Sequence, residues 1–319
     1  MLFEKSNASL LDDYNKRVYG HETAKKALIT LVSRSRMRHY QKYHLDVPDS
    51  ELMEPSKLLL IGDSGTGKTF LVEQLAHMLD FPLLCVDATQ LTPSGNSDGI
   101  NQKKFRAECT KTVNNWVESR KARGFTVSQA GAQDQLVIYI DEIDKLAHSF
   151  DSSGNWNRHV QSNFLTMFDN HGEGAGVSFI FSGAFSGMKP KVKHTLGFGA
   201  ETVADVPMLD DELVQYGLIP EFVGRLTSIV KLDTFVEADY RHILYDTLLP
   251  AKQHGLSFFN DAHLDIPDSE ISNLVQRALK SSQGVRYLKR QLDALALDAE
   301  FNYEENSHEI SPTDEHTAI

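Results

Sequence analysis

A chain of 319 residues is longer than the roughly 100 to 200 residues of one domain, and 41% hydrophobic with 24% charged residues is the composition of a folded globular protein. Disordered, collagen-like and coiled-coil classes are excluded on that ground. With 32 Lys and Arg against 44 Asp and Glu, the net charge of -12 argues against a surface that coats nucleic acid or anionic lipid as a whole, though a local basic patch is compatible with it.

In chain order, the first feature is Lys16 to Lys42, where eight basic residues meet one acidic residue, Glu22. Such a run reads as the solvated face of a helix, or as a contact surface for nucleic acid or an acidic partner. Strands are expected at Lys57 to Ile61, Leu83 to Val86, Leu136 to Ile140, Val177 to Ser182 and Ser228 to Leu232. All five are near-continuous apolar runs, the pattern of strands buried on both faces. Helical segments between them, such as Phe70 to Leu79, complete the alternation of a parallel sheet covered by helices, which binds ligands at the carboxyl ends of its strands. Asn101 to Gln135 is long for a connection, and its Gly124 to Gln135 end reads as a loop. Beyond about residue 235 helical period takes over, at Asp239 to Leu249, Ser269 to Leu279 and Val285 to Phe301. The expected division is therefore a large α/β domain over 1–232, a small helical domain over 233–303 and an acidic disordered tail over 304–319.

The two cysteines, Cys85 and Cys109, are too few for a disulfide framework or a four-thiolate zinc site. Apolar runs fall far short of the roughly 18 residues that span a bilayer, and Met1 to Lys5 lacks the apolar core of a signal peptide. A cytoplasmic protein that does not engage a membrane is expected.

Chemistry concentrates in Gly62-Asp63-Ser64-Gly65-Thr66-Gly67-Lys68-Thr69, which follows one strand and opens the next helix, as a phosphate-binding loop must. Its glycines let successive backbone N–H groups face phosphate oxygens, and the new helix presents its positive end to the same anion. Lys68 is expected to neutralise the β and γ phosphates of ATP, and Thr69 to hold Mg²⁺. Asp141 and Glu142 stand just past another strand. By itself an acidic strand end is commonly a turn or helix cap, but beside a phosphate loop Asp141 can hold Mg²⁺ through water while Glu142 accepts the proton of the attacking water. Ser182, at the end of a further strand, can orient that water, or bond within its own turn. His21-Glu22 lacks the second histidine of a zinc hydrolase helix.

Together these residues resemble the AAA+ ATPases, and within them the ClpX branch of hexameric protein unfoldases. Val18-Tyr19-Gly20-His21-Glu22-Thr23-Ala24-Lys25 resembles the segment whose apolar residues flank adenine. Asp87-Ala88-Thr89, Ile140 to Lys145, Ser182-Gly183-Ala184-Phe185 and Tyr216 to Leu226 are similar to further landmarks of that branch. The resemblance implies a five-stranded parallel AAA+ sheet with a small helical lid, a homo-oligomeric ring acting on a protein substrate, and Arg225 as an arginine finger offered to the neighbouring subunit's γ phosphate. It implies that Arg286, in Gly284-Val285-Arg286, senses the same phosphate from the small domain. Leu196-Gly197-Phe198 resembles the tripeptide that docks a ClpP peptidase ring, and Met188 to Thr195 is shorter than the family's loop. Two departures stand out. With two cysteines, no zinc-binding amino-terminal domain of the family's kind is expected in this sequence, and the pore loop reads Gly95-Asn96-Ser97-Asp98-Gly99, without the family's aromatic. The polar loop points equally to nucleic-acid transactions or to an ATP-gated scaffold; Trp156, in Ser152 to His159, is a second source of grip.

Overall fold

The computed structural model describes residues 5–92, 99–147, 154–168, 176–188, 209–257, 264 and 266–301. Asn96 to Asp98, Leu196 to Phe198 and the tail over 304–319 lie outside them. Two compact units divide the chain, Met1–Thr234 and Phe235–Ile319.

The larger unit opens with α1 (Asn7–Asn15) and α2 (Glu22–His44), then alternates β1 (Lys57–Ile61), α3 (Lys68–Leu79), β2 (Leu83–Asp87), α4 (Gln102–Ala122), the short α5 (Gln129–Gln133) and β3 (Val137–Asp141). A 3₁₀ turn at Ile143–Leu146 leads to α6 (Gly154–Phe168), β4 (Ser178–Gly183), α7 (Leu209–Tyr216), α8 (Pro220–Val223) and β5 (Ser228–Lys231). All pairings are parallel, and the strand order is β2-β3-β4-β1-β5.

Alternation of side chains along a strand explains the apolar runs. Leu59, Ile61, Ile138, Ile140, Phe179 and Phe181 pack on one face with Phe105 and Val113 of α4, Phe164 of α6 and Phe222 of α8. Leu58, Leu60, Val137, Tyr139 and Ile180 face the other way, onto Tyr14 of α1, Leu28 and Val32 of α2, and Leu71 and Leu75 of α3. Both faces are covered only for β1, β3 and β4. At the edges the expectation fails: β2 exposes Cys85 and β5 exposes Ser228 and Lys231, because an edge strand lacks a neighbour on one side.

Two other expectations change. The supposed loop before β3 contains α5, started by Ser128, whose Oγ accepts from Gly131 N–H at 3.1 Å. The basic run over 16–42 is not simply a solvated face. Lys25 and Arg38 are buried, and Arg36 donates to the Leu79 carbonyl at 2.6 Å. Long cationic side chains can enter a protein where carbonyls receive their heads.

The smaller unit comprises α9 (Glu237–Ile243), a π-helical turn at Leu244–Leu248, α10 (Leu249–Leu256), α11 (Asp268–Lys280) and α12 (Val285–Phe301). Ile271, Leu274, Val275 and Ala278 follow the helical i, i+3, i+4, i+7 spacing and pack with Tyr240, Leu244, Leu288 and Leu292. Among the described residues no helix is long and apolar enough to cross a membrane.

A candidate nucleotide-binding site at the strand ends

Leaving β1, the chain turns through residues 62 to 67 into α3. Gly65 and Gly67 adopt φ of 77° and 91°, conformations that glycine reaches without a Cβ penalty. A Cβ at Gly67 would meet nothing within 4 Å, so its requirement is conformational. At Gly62 it is packing, since a Cβ would lie 3.0 Å from Leu232 Cβ and 3.1 Å from Thr66 Oγ1. No side chain caps the start of α3, which leaves its first N–H groups for a ligand. Lys68 Nζ donates to the Gly62 carbonyl at 2.6 Å and the Asp63 carbonyl at 3.0 Å, which holds the ammonium over the loop. Asp63 and Ser64 are exposed, and Thr66 Oγ1 ties back to the Asp63 carbonyl at 2.8 Å. This cradle of N–H groups, one ammonium and a helix N-terminus fits a polyphosphate.

Beside it, four side chains from three elements form one cluster. Thr69 Oγ1, on α3, donates to Asp141 Oδ2 at 2.8 Å and lies 3.2 Å from the Tyr139 hydroxyl. That hydroxyl is 2.7 Å from Ser182 Oγ, which itself donates to Asp141 Oδ1. Burial, and then the neighbouring Asp141, push the Tyr139 phenol above its usual range, so it stays protonated and able to donate. Hydroxyl and carboxylate oxygens without nitrogen or sulfur suit a hard divalent cation, so Thr69 and Asp141 would hold Mg²⁺.

Ser182 is wholly buried, and its bonds go to β3 rather than to its own turn. It therefore orients Asp141, as an outer partner orients a metal ligand. Asp141 Oδ1 also accepts from Glu142 N–H at 2.9 Å, the turn-capping role that an acidic strand end commonly has. Glu142 takes the left-handed φ of 57° and is exposed. Water can therefore reach its side chain.

Ahead of the loop, Val18 is buried, Tyr19 is partly exposed, and Gly20 and His21 both have positive φ. His21, which lacks the partner histidine of a metal site, braces the loop instead. Its Nδ1 accepts from Asp233 N–H at 3.1 Å, so Nε2 carries the proton toward the Thr66 carbonyl at 3.0 Å. Lys25 Nζ donates to Asn15 Oδ1 at 2.8 Å and to the Val18 carbonyl. Burial pulls its pKa down to about 8. Tyr139 was legible in principle, because two residues along a strand return to the same face and so place it beside Asp141. His21 and Lys25 carry no such signal.

The remaining candidates lie elsewhere. Arg225 is exposed just past α8, its N–H bonded to the Phe222 carbonyl at 3.1 Å. Arg286 is exposed in the first turn of α12, in the smaller unit. Asp87 Oδ1 accepts from Thr89 N–H and Oγ1 at 2.8 and 2.6 Å, a turn-building role. From residue 154 onward the segment holding Trp156 is helical, not a loop.

Residues 58–188 match the family model described as the ATPase family associated with various cellular activities (AAA). That span runs from β1 to the turn after β4 and includes the phosphate loop, Asp141, Glu142 and Ser182. The match, which lies within the larger unit, supports an ATPase domain of the AAA type there.

Proposed function

We propose that this chain hydrolyses Mg-ATP in a ring of identical subunits and uses the cycle to remodel or unfold a protein partner, in the manner of the ClpX branch it resembles. The observation that carries the reading is the cross-strand cluster beside the phosphate loop, with Thr69 and Asp141 tied together and the exposed Glu142 next to them. Lys68 and the α3 N-terminus bind the phosphates, Asp141 and Thr69 hold the metal, and Glu142 takes the proton of the attacking water. Bound Mg²⁺ would offset charge on the β and γ phosphate oxygens. Arg225 supplies the remaining positive charge from a neighbouring subunit, and Arg286 reports the γ phosphate from the smaller unit.

A second reading, action on nucleic acid, is favoured by α4. Lys103, Lys104, Arg106, Lys111, Lys121 and Arg123 are exposed along it and just past its end, against Glu108 and Glu118. Such a stripe offers the electrostatic footprint of phosphate binding on a chain that is acidic overall. ATPase stimulation separates the two. Unfolded protein, and not single-stranded DNA, is expected to raise turnover; stimulation by DNA alone would replace the first reading with the second. Addition of a ClpP ring tests docking through Leu196, Gly197 and Phe198.

A further inference from the structure

Gln161, on α6, is wholly buried. Its Nε2 donates to the Leu146 carbonyl at 2.6 Å and, more weakly, to the Gly217 carbonyl at 3.4 Å, while its Oε1 accepts from Ile219 N–H at 2.8 Å. A backbone N–H only donates and a carbonyl only accepts, so these partners fix which end of the amide is which. Every polar atom of the side chain is thus satisfied, the condition for burying an amide without penalty.

The two ends of this bracket are the informative part. Leu146 closes the 3₁₀ turn that begins at the residue after Glu142. Ile219 is the N-cap residue of α8, and Arg225 comes just after that helix's C-cap, Gly224. A parallel contact joins the same regions: Asp144 Oδ2 accepts from Phe185 N–H at 3.4 Å, and the Phe185 ring packs against Tyr216 at 5.1 Å. Little slack exists there, since a Cβ at Gly183 would lie 2.8 Å from Asp144 Oδ1 and 2.6 Å from the Phe185 ring.

We propose that Gln161 is a positioning residue that latches the turn after Glu142 to the segment presenting Arg225, so that the hydrolytic end of one subunit's own site sets the aim of its arginine toward the next subunit. The inference rests on the reading in which Arg225 acts on a neighbour. A merely structural bracket would hold α6 in place and leave the neighbour's chemistry alone; a latch changes that chemistry.

Mixed rings test it on the full chain. Subunits with Glu142→Gln cannot turn over their own nucleotide but keep Arg225, and subunits with Arg225→Ala keep Glu142, so mixing restores hydrolysis at shared sites. Adding Gln161→Met to the Glu142→Gln partner is expected to lower that restored rate about tenfold, within the range for mutations that modulate coupling between sites. Binding of a fluorescent ATP analogue and ring assembly are retained. Gln161→Glu, which keeps an acceptor for Ile219 and surrenders the donors, is the second variant if methionine does not fold. Amide exchange is an independent readout: ATP added to the Glu142→Gln chain is expected to change protection over residues 217–226, and Gln161→Met to remove that change. An unaltered restored rate, or a surviving exchange response, overturns the latch alone. No restoration in the control mixture overturns the shared site, and the latch with it.

Discussion

The phosphate loop and the carboxylate cluster adjoin each other but are built in opposite ways. The loop is eight consecutive residues, 62 to 69, whose shape follows from glycine conformations and the start of one helix. The cluster gathers Thr69, Tyr139, Asp141 and Ser182 from α3, β3 and β4, and exists only because β4 lies between β3 and β1. Local geometry writes a motif into a sequence, whereas a cross-strand cluster is written only into a strand order.

Mutations should separate the two functionally, and the largest effect comes first. Lys68→Ala is expected to abolish tight ATP binding, while Glu142→Gln retains binding and loses turnover by about 10²- to 10⁴-fold, the usual worth of a positioned base. Equilibrium binding and phosphate release measure the pair; equal ATP affinity for Lys68→Ala and the parent chain would erase the distinction. Within the cluster, Ser182→Ala and Tyr139→Phe are expected to raise the Mg²⁺ concentration for half-maximal activity by about 10- to 100-fold, as loss of a ligand's outer partner does. Metal-independent nucleotide binding should stay put. A Mg²⁺ titration that does not move would show that these hydroxyls only pack.

Titration sharpens the contrast further. Lys25, which holds the segment ahead of the loop, has its pKa lowered by burial to about 8 from an ordinary 10.5. The folded chain therefore releases this proton before the unfolded chain does, and stability rises with pH across that window. Above pH 10 the opposite holds for Tyr139 and for Tyr14, whose hydroxyl donates to Leu71 of α3. Burial keeps both protonated in the fold while the unfolded chain ionises near 10.0, so stability falls. Denaturant midpoints between pH 7 and 11 should show a rise and then a fall. Lys25→Met should flatten the rise, and Tyr139→Phe should soften the fall. The smallest effect is expected at Gly67→Ala, about 1 kcal/mol from the left-handed backbone alone, because no neighbour obstructs the methyl. A much larger loss in a thermal melt would mean that the loop is more tightly packed than its geometry indicates.

What the sequence reveals follows the same division. Lys57 to Ile61 is a strand end to end, as the four consecutive apolar residues from Leu58 to Ile61 indicate. The helix over Val285 to Phe301 is equally plain from its period. Cys85 shows the limit, because an apolar run does not say whether a neighbouring strand exists on both sides. Lys25 and Arg38 read as solvent-facing charges until the carbonyls of Val18 and Met53 that receive them are known. Ser182 reads as a candidate site residue from its place at a strand end, but its partners across the sheet, Asp141 and Tyr139, cannot be read from one strand.

The strand order also has a consequence for biosynthesis. Leu58 pairs with Ile180 on one side and Ser228 on the other. At roughly 5 to 20 residues per second, a ribosome supplies that second neighbour roughly 10 to 30 s after the leucines of β1 have been made. During that interval the most apolar strand of the sheet is an unpaired edge, prone to join the same strand of another nascent chain. Soluble yield should therefore respond to temperature and chaperone supply during translation more than to any substitution at the nucleotide site.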